Sequence, residues 1–306
     1  MDKTSNTGRA LVNKNYLFIC GAGRSGTTLL WKILNNSQSV HLATEIHYFS
    51  SLFHDGFLHN HKKLSRKTKK ASLDNLICCL TKIEHFGMYW EKSRSFDVQE
   101  IKDYFNSKDI NDKVIYEYLI HRDLQEKGKH KNLIKYVGEK TPLNIFHVGR
   151  LFKWFPNAKI LFLYRNPIDV LRSEVNKSDK PDYPLGKKNP IYAYGLVVFV
   201  FFEWLFAAII ALYNKYIHKD KFIGISYGAL TLQQKKSVAS ICSEIGIEYS
   251  DDLCIFKKIA SSYSEGERKQ YWYPPKAVKF VYKLCLQPLC TMLNKKALNS
   301  IHALGK

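Results

Sequence analysis

Residues 17 to 28, LFICGAGRSGTT, constrain the fold of this chain more than any other stretch. Leu17, Phe18, Ile19 and Cys20 form an unbroken apolar run, the pattern of a strand buried on both faces, and glycines follow at positions 21, 23 and 26. Leu29, Leu30, Ile33 and Leu34 then recur at helical spacing. Strand, glycine loop and helix N-terminus in that order make a phosphate-binding turn, because free backbone N–H groups converge there on an anion. The glycines let the main chain approach that anion, and Thr27 and Thr28 add hydroxyl donors in the first helical turn. A tight β-α turn without a ligand is the plainer alternative.

The register comes close to the Walker A pattern, with Gly21 and Gly26 correctly separated and Thr28 in the final hydroxyl position. Its lysine is missing. Thr27 stands where a nucleoside triphosphate needs a cation, and Arg24 lies three residues earlier, inside the loop. A loop of this form, with its cation moved forward, resembles the 5′-phosphosulfate loop of sulfotransferases that use 3′-phosphoadenosine 5′-phosphosulfate (PAPS). The resemblance implies that Gly23, Arg24, Ser25, Gly26, Thr27 and Thr28 hold this donor. A sulfuryl group carries one negative charge where a terminal phosphoryl carries about two. Its transfer therefore needs no Mg²⁺, and no metal is expected.

After the first helix, Val40 to Ala43 read as a short strand, followed by TEIHYFS. Glu45 and His47 are two apart, so in extended structure they point the same way, just past a strand's C-terminal end where open α/β sheets place ligands. A Glu-His pair on a surface is the plain reading. The E-x-H-[YF]-F pattern resembles the acceptor-side motif of glucosaminyl 3-O-sulfotransferases, which implies Glu45 as catalytic base and His47 as its support. The later EKTP segment, within YVGEKTPLNIF at 136–146, recurs in the same family and implies that Lys140 stabilises charge beside the sulfuryl group, as Arg24 does. A turn before a helix explains Thr141 and Pro142 equally well.

The second anchor is AKILFLYRNPIDVLRSEV, residues 158–175. Ile160 to Tyr164 is another continuous apolar strand, Asn166 is a natural N-cap, and Pro167 suits the first helical position. Ser173 lies about two turns beyond the cap, so that a guanidinium from Arg165 and this hydroxyl can bracket one phosphate. The spacing closely resembles the sulfotransferase 3′-phosphate motif. A kinase would carry an acid at this strand end to organise Mg²⁺, where this chain has Tyr164 and Arg165. Residues 222–227, FIGISY, read as a further buried strand. Tyr227 corresponds to a family tyrosine that contacts the adenine, although Tyr-Gly-Ala-Leu replaces the family's Tyr-Glu-Asp-Leu. Gly266, Arg268 and Lys269 correspond loosely to a late loop that closes the donor site.

The expected fold is α/β, a three-layer parallel sheet with flanking helices, the P-loop NTPase-like fold of sulfotransferases, closest in motif to carbohydrate O-sulfotransferases. Residues 1–15 are read as a flexible N-terminus and 16–275 as the sulfotransferase domain. Within it, about 50–135 form a helical acceptor-side insertion, with Val114, Ile115, Tyr118, Leu119 and Leu124 on one helix face. Residues 276–306 form a basic amphipathic tail in which Val278, Val281, Leu284, Cys285 and Leu289 share an apolar face that Pro288 interrupts.

From Gly195 to Leu212 the sequence is apolar except for Glu203. At the margin of a membrane span, it is read as a helix packed on the sheet, since 222–227 need the same sheet as 17–20. The formal net charge is +20, from 47 Lys and Arg against 27 Asp and Glu. Besides a plainly solvated surface, it suits an anionic acceptor or an anionic membrane, and no specific nucleic acid is expected. The polar start of the chain and an odd count of seven cysteines imply the cytoplasm, with membrane association as the alternative. The expected activity is sulfuryl transfer from PAPS to a hydroxyl acceptor, a carbohydrate or glycolipid, leaving 3′-phosphoadenosine 5′-phosphate (PAP). A nucleotide or small-molecule kinase, or a basic anion-binding protein without catalysis, are the other readings of the same fold.

Overall fold

A computed structural model of the chain describes residues 15–49, 73–74, 76–77, 97–106, 108, 110–126, 133–177, 190–254 and 274–302. Five strands, β1 (Asn15–Gly21), β2 (Val40–Thr44), β3 (Tyr136–Lys140), β4 (Lys159–Tyr164) and β5 (Phe222–Ser226), form one sheet in the order β2-β3-β1-β4-β5. The helices are α1 (Thr27–Asn35), α2 (Val98–Phe105), α3 (Asp112–Glu126), α4 (Val148–Trp154), α5 (Pro167–Lys177), α6 (Pro190–Ile217), α7 (Tyr227–Leu232), α8 (Gln234–Ile245) and α9 (Lys276–His302). Parallel strands flanked by helices are the α/β class that the continuous apolar runs lead one to expect. The register runs from Val40 opposite Tyr136 to Thr44 opposite Lys140, and from Ile160 opposite Phe222 to Tyr164 opposite Ser226.

The chain divides into two compact units, one of Met1–Phe18 and Ser37–Ala158, the other of Ile19–Asn36 and Lys159–Lys306. In the first, α3 packs on β2 and β3, burying Ile115, Tyr118, Leu119 and Leu124 as their helical spacing requires. The middle of β3 has to be glycine, because a Cβ on Gly138 would lie 1.8 Å from the Leu17 carbonyl oxygen. Asp97 starts α2 by accepting hydrogen bonds from the N–H groups of Gln99 (2.7 Å) and Glu100 (3.3 Å).

In the second unit, α6 packs on α5 and β5, and α9 packs on α6 and β5. The packed helix expected at 195–212 is therefore present, with Val200, Trp204, Ala207, Ala208 and Ala211 on its buried side. One expectation for the tail is corrected. Helix α9 runs unbroken through Pro288, whose exposed position leaves the carbonyl four residues earlier open to water. Its buried side is Tyr282, Leu286, Cys290 and Leu293, whereas Val281, Leu284 and Cys285 face solvent.

Candidate active site

In the second unit β1 ends at Gly21 and α1 begins at Thr27, so the intervening loop delivers its N–H groups to a helix N-terminus. The turn needs Gly26, which has φ 94° and whose Cβ, if present, would lie 2.4 Å from the Tyr227 ring. Arg24 is left-handed as well, at φ 59°. Its Nε donates to Ser173 Oγ at 3.2 Å and lies 3.9 Å from the Glu174 carboxylate. Arg165 leaves the end of β4 and donates through Nη1 to the Arg24 carbonyl at 3.4 Å, with its guanidinium 4.6 Å above the Tyr227 ring. Asn166 caps α5, accepting from Ile168 N–H at 2.9 Å, and Pro167 is the first helical residue. Trp204 of α6 holds the Arg165 carbonyl through its indole N–H at 2.9 Å.

Two guanidinium groups and a serine hydroxyl thus converge. Ser25 Oγ and Arg165 Nε are also buried, with no hydrogen-bond partner among the described residues. Orphaned buried donors are costly, on the order of 1–3 kcal/mol each, and an anion with several acceptor oxygens removes that cost. These residues fit a phosphate or sulfate group. One anion is already at the loop. Glu203 of α6 accepts from Gly23 N–H at 2.6 Å, and burial raises its carboxyl to about 7, against the opposing effect of that hydrogen bond.

The first unit carries a separate acid–base cluster. Glu45 lies just past β2, buried, with the ammonium of Lys140 from the end of β3 on Oε1 and His47 Nε2 at 3.0 Å from Oε2. Burial alone would raise the Glu45 carboxyl, but the hydrogen bond from His47 and the charge of Lys140 outweigh it and hold the group down at about 2. The meeting of Glu45 and His47 differs in origin from the extended pair that their spacing suggests. His47 is left-handed, at φ 51°, and the turn brings its ring back onto the carboxylate. Among the described non-glycine residues, Arg24 and His47 are the two with positive φ, and such backbone strain gathers at functional sites.

Beneath this pair Glu139 is fully buried. Its carboxylate accepts from Tyr116 OH, Asn144 Nδ2 (2.7 Å), Thr141 Oγ1 (2.8 Å) and the Ile46 N–H (2.9 Å). The last bond ties the segment between Glu45 and His47 to β3. Among the described residues, no three His, Cys, Asp or Glu side chains are grouped to hold a metal ion.

A model of the sulfotransferase family matches residues 17–251. The chain belongs to the sulfotransferase family. Among solved structures, it is similar to the sulfotransferase from Alicyclobacillus acidocaldarius, at 15% identity and TM-score 0.53 over 95% of this chain and 97% of that one. It is also similar to the sulfotransferase domain of the Synechococcus PCC 7002 olefin synthase, at 16% identity and TM-score 0.49 over 96% of each chain. The sulfotransferase domain from the curacin biosynthetic pathway follows at 17% identity and TM-score 0.47, over 78% of this chain and 76% of that one. None of the curated proteins matches the sequence. The first of these structures shares the fold of this sulfotransferase.

In this sulfotransferase, the residues named from the sequence gather in two groups, Arg24, Ser25, Arg165, Ser173 and Tyr227 in one unit and Glu45, His47 and Lys140 in the other. Lys140 is expected beside the transferred group and its ammonium lies on Glu45. Arg24 has the same expected place, and its guanidinium lies on Ser173. Gly266, Arg268 and Lys269 and the N-terminal 14 residues lie outside the described residues. Sequence reasoning missed Glu139, Tyr116, Trp204 and Glu203 as site residues. Glu203 carried a signal, as the one acid in an apolar run, and so did Glu139, next to Lys140.

Proposed function

We propose that the protein transfers the sulfuryl group of PAPS to a hydroxyl of a carbohydrate or glycolipid, with Glu45 as general base. The observation that carries the donor is the set of hydrogen-bond donors left for an anion, Ser25 Oγ and Arg165 Nε, beside Arg24 and Ser173. Arg165 and Ser173 bind the 3′-phosphate, the loop Gly23–Thr28 binds the 5′-phosphosulfate, and Tyr227 borders the adenine. Glu45 takes the acceptor's proton as the acceptor oxygen bonds to sulfur. The bond from sulfur to the bridging phosphate oxygen breaks, and PAP leaves with that oxygen's charge. Lys140 pairs with Glu45 in the resting protein, and its role in the reaction is to stabilise the charge that develops on the bridging oxygen. Arg24 adds charge stabilisation at the donor, and His47 orients Glu45.

The setting is cytoplasmic, in peripheral contact with an anionic membrane. The net charge of +20 and the free thiols Cys20, Cys242, Cys254, Cys285 and Cys290 support it.

Glu45→Gln keeps the shape and removes the proton acceptor, so single-turnover sulfuryl transfer by folded protein saturated with both substrates falls by roughly 10² to 10⁴ while donor affinity is kept. A rate within about threefold of wild type contradicts the base role, because that is under 1 kcal/mol of barrier. The same assay run in excess EDTA proceeds unchanged. Loss of activity that Mg²⁺ restores favours a kinase.

A further inference from the structure

Helix α6 turns apolar side chains to solvent as well as to the core. Opposite its buried stripe, Val198, Phe202, Phe206, Ile209 and Tyr213 recur at intervals of three and four residues and are between 48% and 63% exposed. Tyr194 and Tyr216 stand at the two ends of this ridge, 62% and 71% exposed. At 1.5 Å per residue the ridge is about 33 Å long. A surface helix ordinarily carries its charges on that side. Here Glu203, the one charged residue between Pro190 and Asn214, is turned to the Gly23 N–H.

Helix α9 repeats the pattern beside it. Tyr282 donates to the Val197 carbonyl at 2.6 Å and its ring meets that of Phe201 edge-on at 5.3 Å, so the two helices form one packed pair. Opposite the buried stripe of α9, Phe280, Val281, Leu284 and Met292 are between 47% and 67% exposed. Lys276, Lys279 and Lys283 are exposed along one flank of that ridge. Half-exposed side chains of this size present on the order of 100 Å² each, so the two ridges exceed the few hundred Å² of contiguous apolar surface usual for a monomer. Among the described residues no element covers them.

We propose that α6 and α9 form a membrane-docking face that lies in the headgroup region of an anionic bilayer, with the ridges in the acyl boundary and the lysines against lipid phosphates. The inference rests on the contact with an anionic membrane proposed above and assigns it to these two helices. Charge complementarity selects an anionic bilayer as the occupant: lysines flank the ridge on a chain of net charge +20. Long helix ridges with tyrosines at the ends suit a lipid surface, whereas a peptide partner requires a groove. The helix does not span the bilayer, because its inner side holds the Gly23 N–H through Glu203 and the Arg165 carbonyl through Trp204.

The test is flotation of the full chain with phosphatidylcholine vesicles with or without phosphatidylserine. The protein floats with the anionic vesicles and hardly at all with the neutral ones. Replacing Phe202 and Phe206 together by serine lowers partitioning at least tenfold. Replacing Lys276, Lys279 and Lys283 by glutamine lowers it on the order of a hundredfold. Both variants keep wild-type affinity for PAP, which shows that they are folded. No flotation of the wild type, or flotation indifferent to the serine substitutions, overturns the proposal. So does a wild-type dimer that the serine variant converts to monomer, since a second copy then covers the ridge, or retention on vesicles after carbonate washing, since the helix then spans. Flotation needs neither donor nor turnover, so a protein that floats without binding PAP keeps the docking face and loses only the sulfotransfer reading.

Discussion

Glu139 shows how a single residue can set a site without touching a reacting group. Its carboxylate takes four hydrogen bonds in the core of the first unit, one of them from the Ile46 N–H, which lies between Glu45 and His47. Glu139→Ala strands those donors in the core and should cost about 3–5 kcal/mol, read as a lowered urea midpoint with an unchanged slope. A loss below about 1 kcal/mol means that water reaches the network. Arg24, Arg165 and Ser173 could be singled out in the sequence because each sits at a fixed offset from a strand end, where local chemistry decides position. The role of Glu139 could not, since two of the four partners that define it, Tyr116 and Ile46, are 23 and 93 residues away, and the residue's place beside Lys140 does not encode contacts at that range.

Strands β1, β4 and β5 were legible as elements because their apolar runs are continuous, the mark of strands covered on both faces. Strand β3 was not. YVGEK is fully buried although it ends in two charges, and its charges are stable there only because Glu45 and the Glu139 network satisfy them. Helix α6 was legible as a helix, but apolar residues on all sides do not say which side meets the core. Its one acid supports a prediction. Glu203 in the folded state titrates at about 7, above its ordinary value of 4.5. Between those values the folded protein holds more protons than the unfolded chain, so stability falls as pH rises from about 4.5 to about 7 and levels off above. The fall is on the order of 3 kcal/mol. Glu203→Gln, which can still accept from Gly23 N–H, should remove it, as followed by chemical denaturation across that pH range. Identical pH profiles for the two proteins contradict the assignment.

At the scale of the molecule, strands alternating with helices made the α/β class readable, and the loop after β1 narrowed it to the sulfotransferase fold. Division into two units was not readable, since the first draws on residues both before and after the glycine loop. The residues proposed for the donor all belong to the second unit, so donor recognition can be measured without an acceptor. Calorimetric titration with PAP, AMP and ATP tests the central claim most directly. PAP should bind roughly ten- to a hundredfold more tightly than AMP or ATP, the worth of charge-assisted contacts to the 3′-phosphate, and Arg165→Ala should abolish most of that preference. Equal affinity for PAP and AMP, or a preference for ATP, would contradict the account.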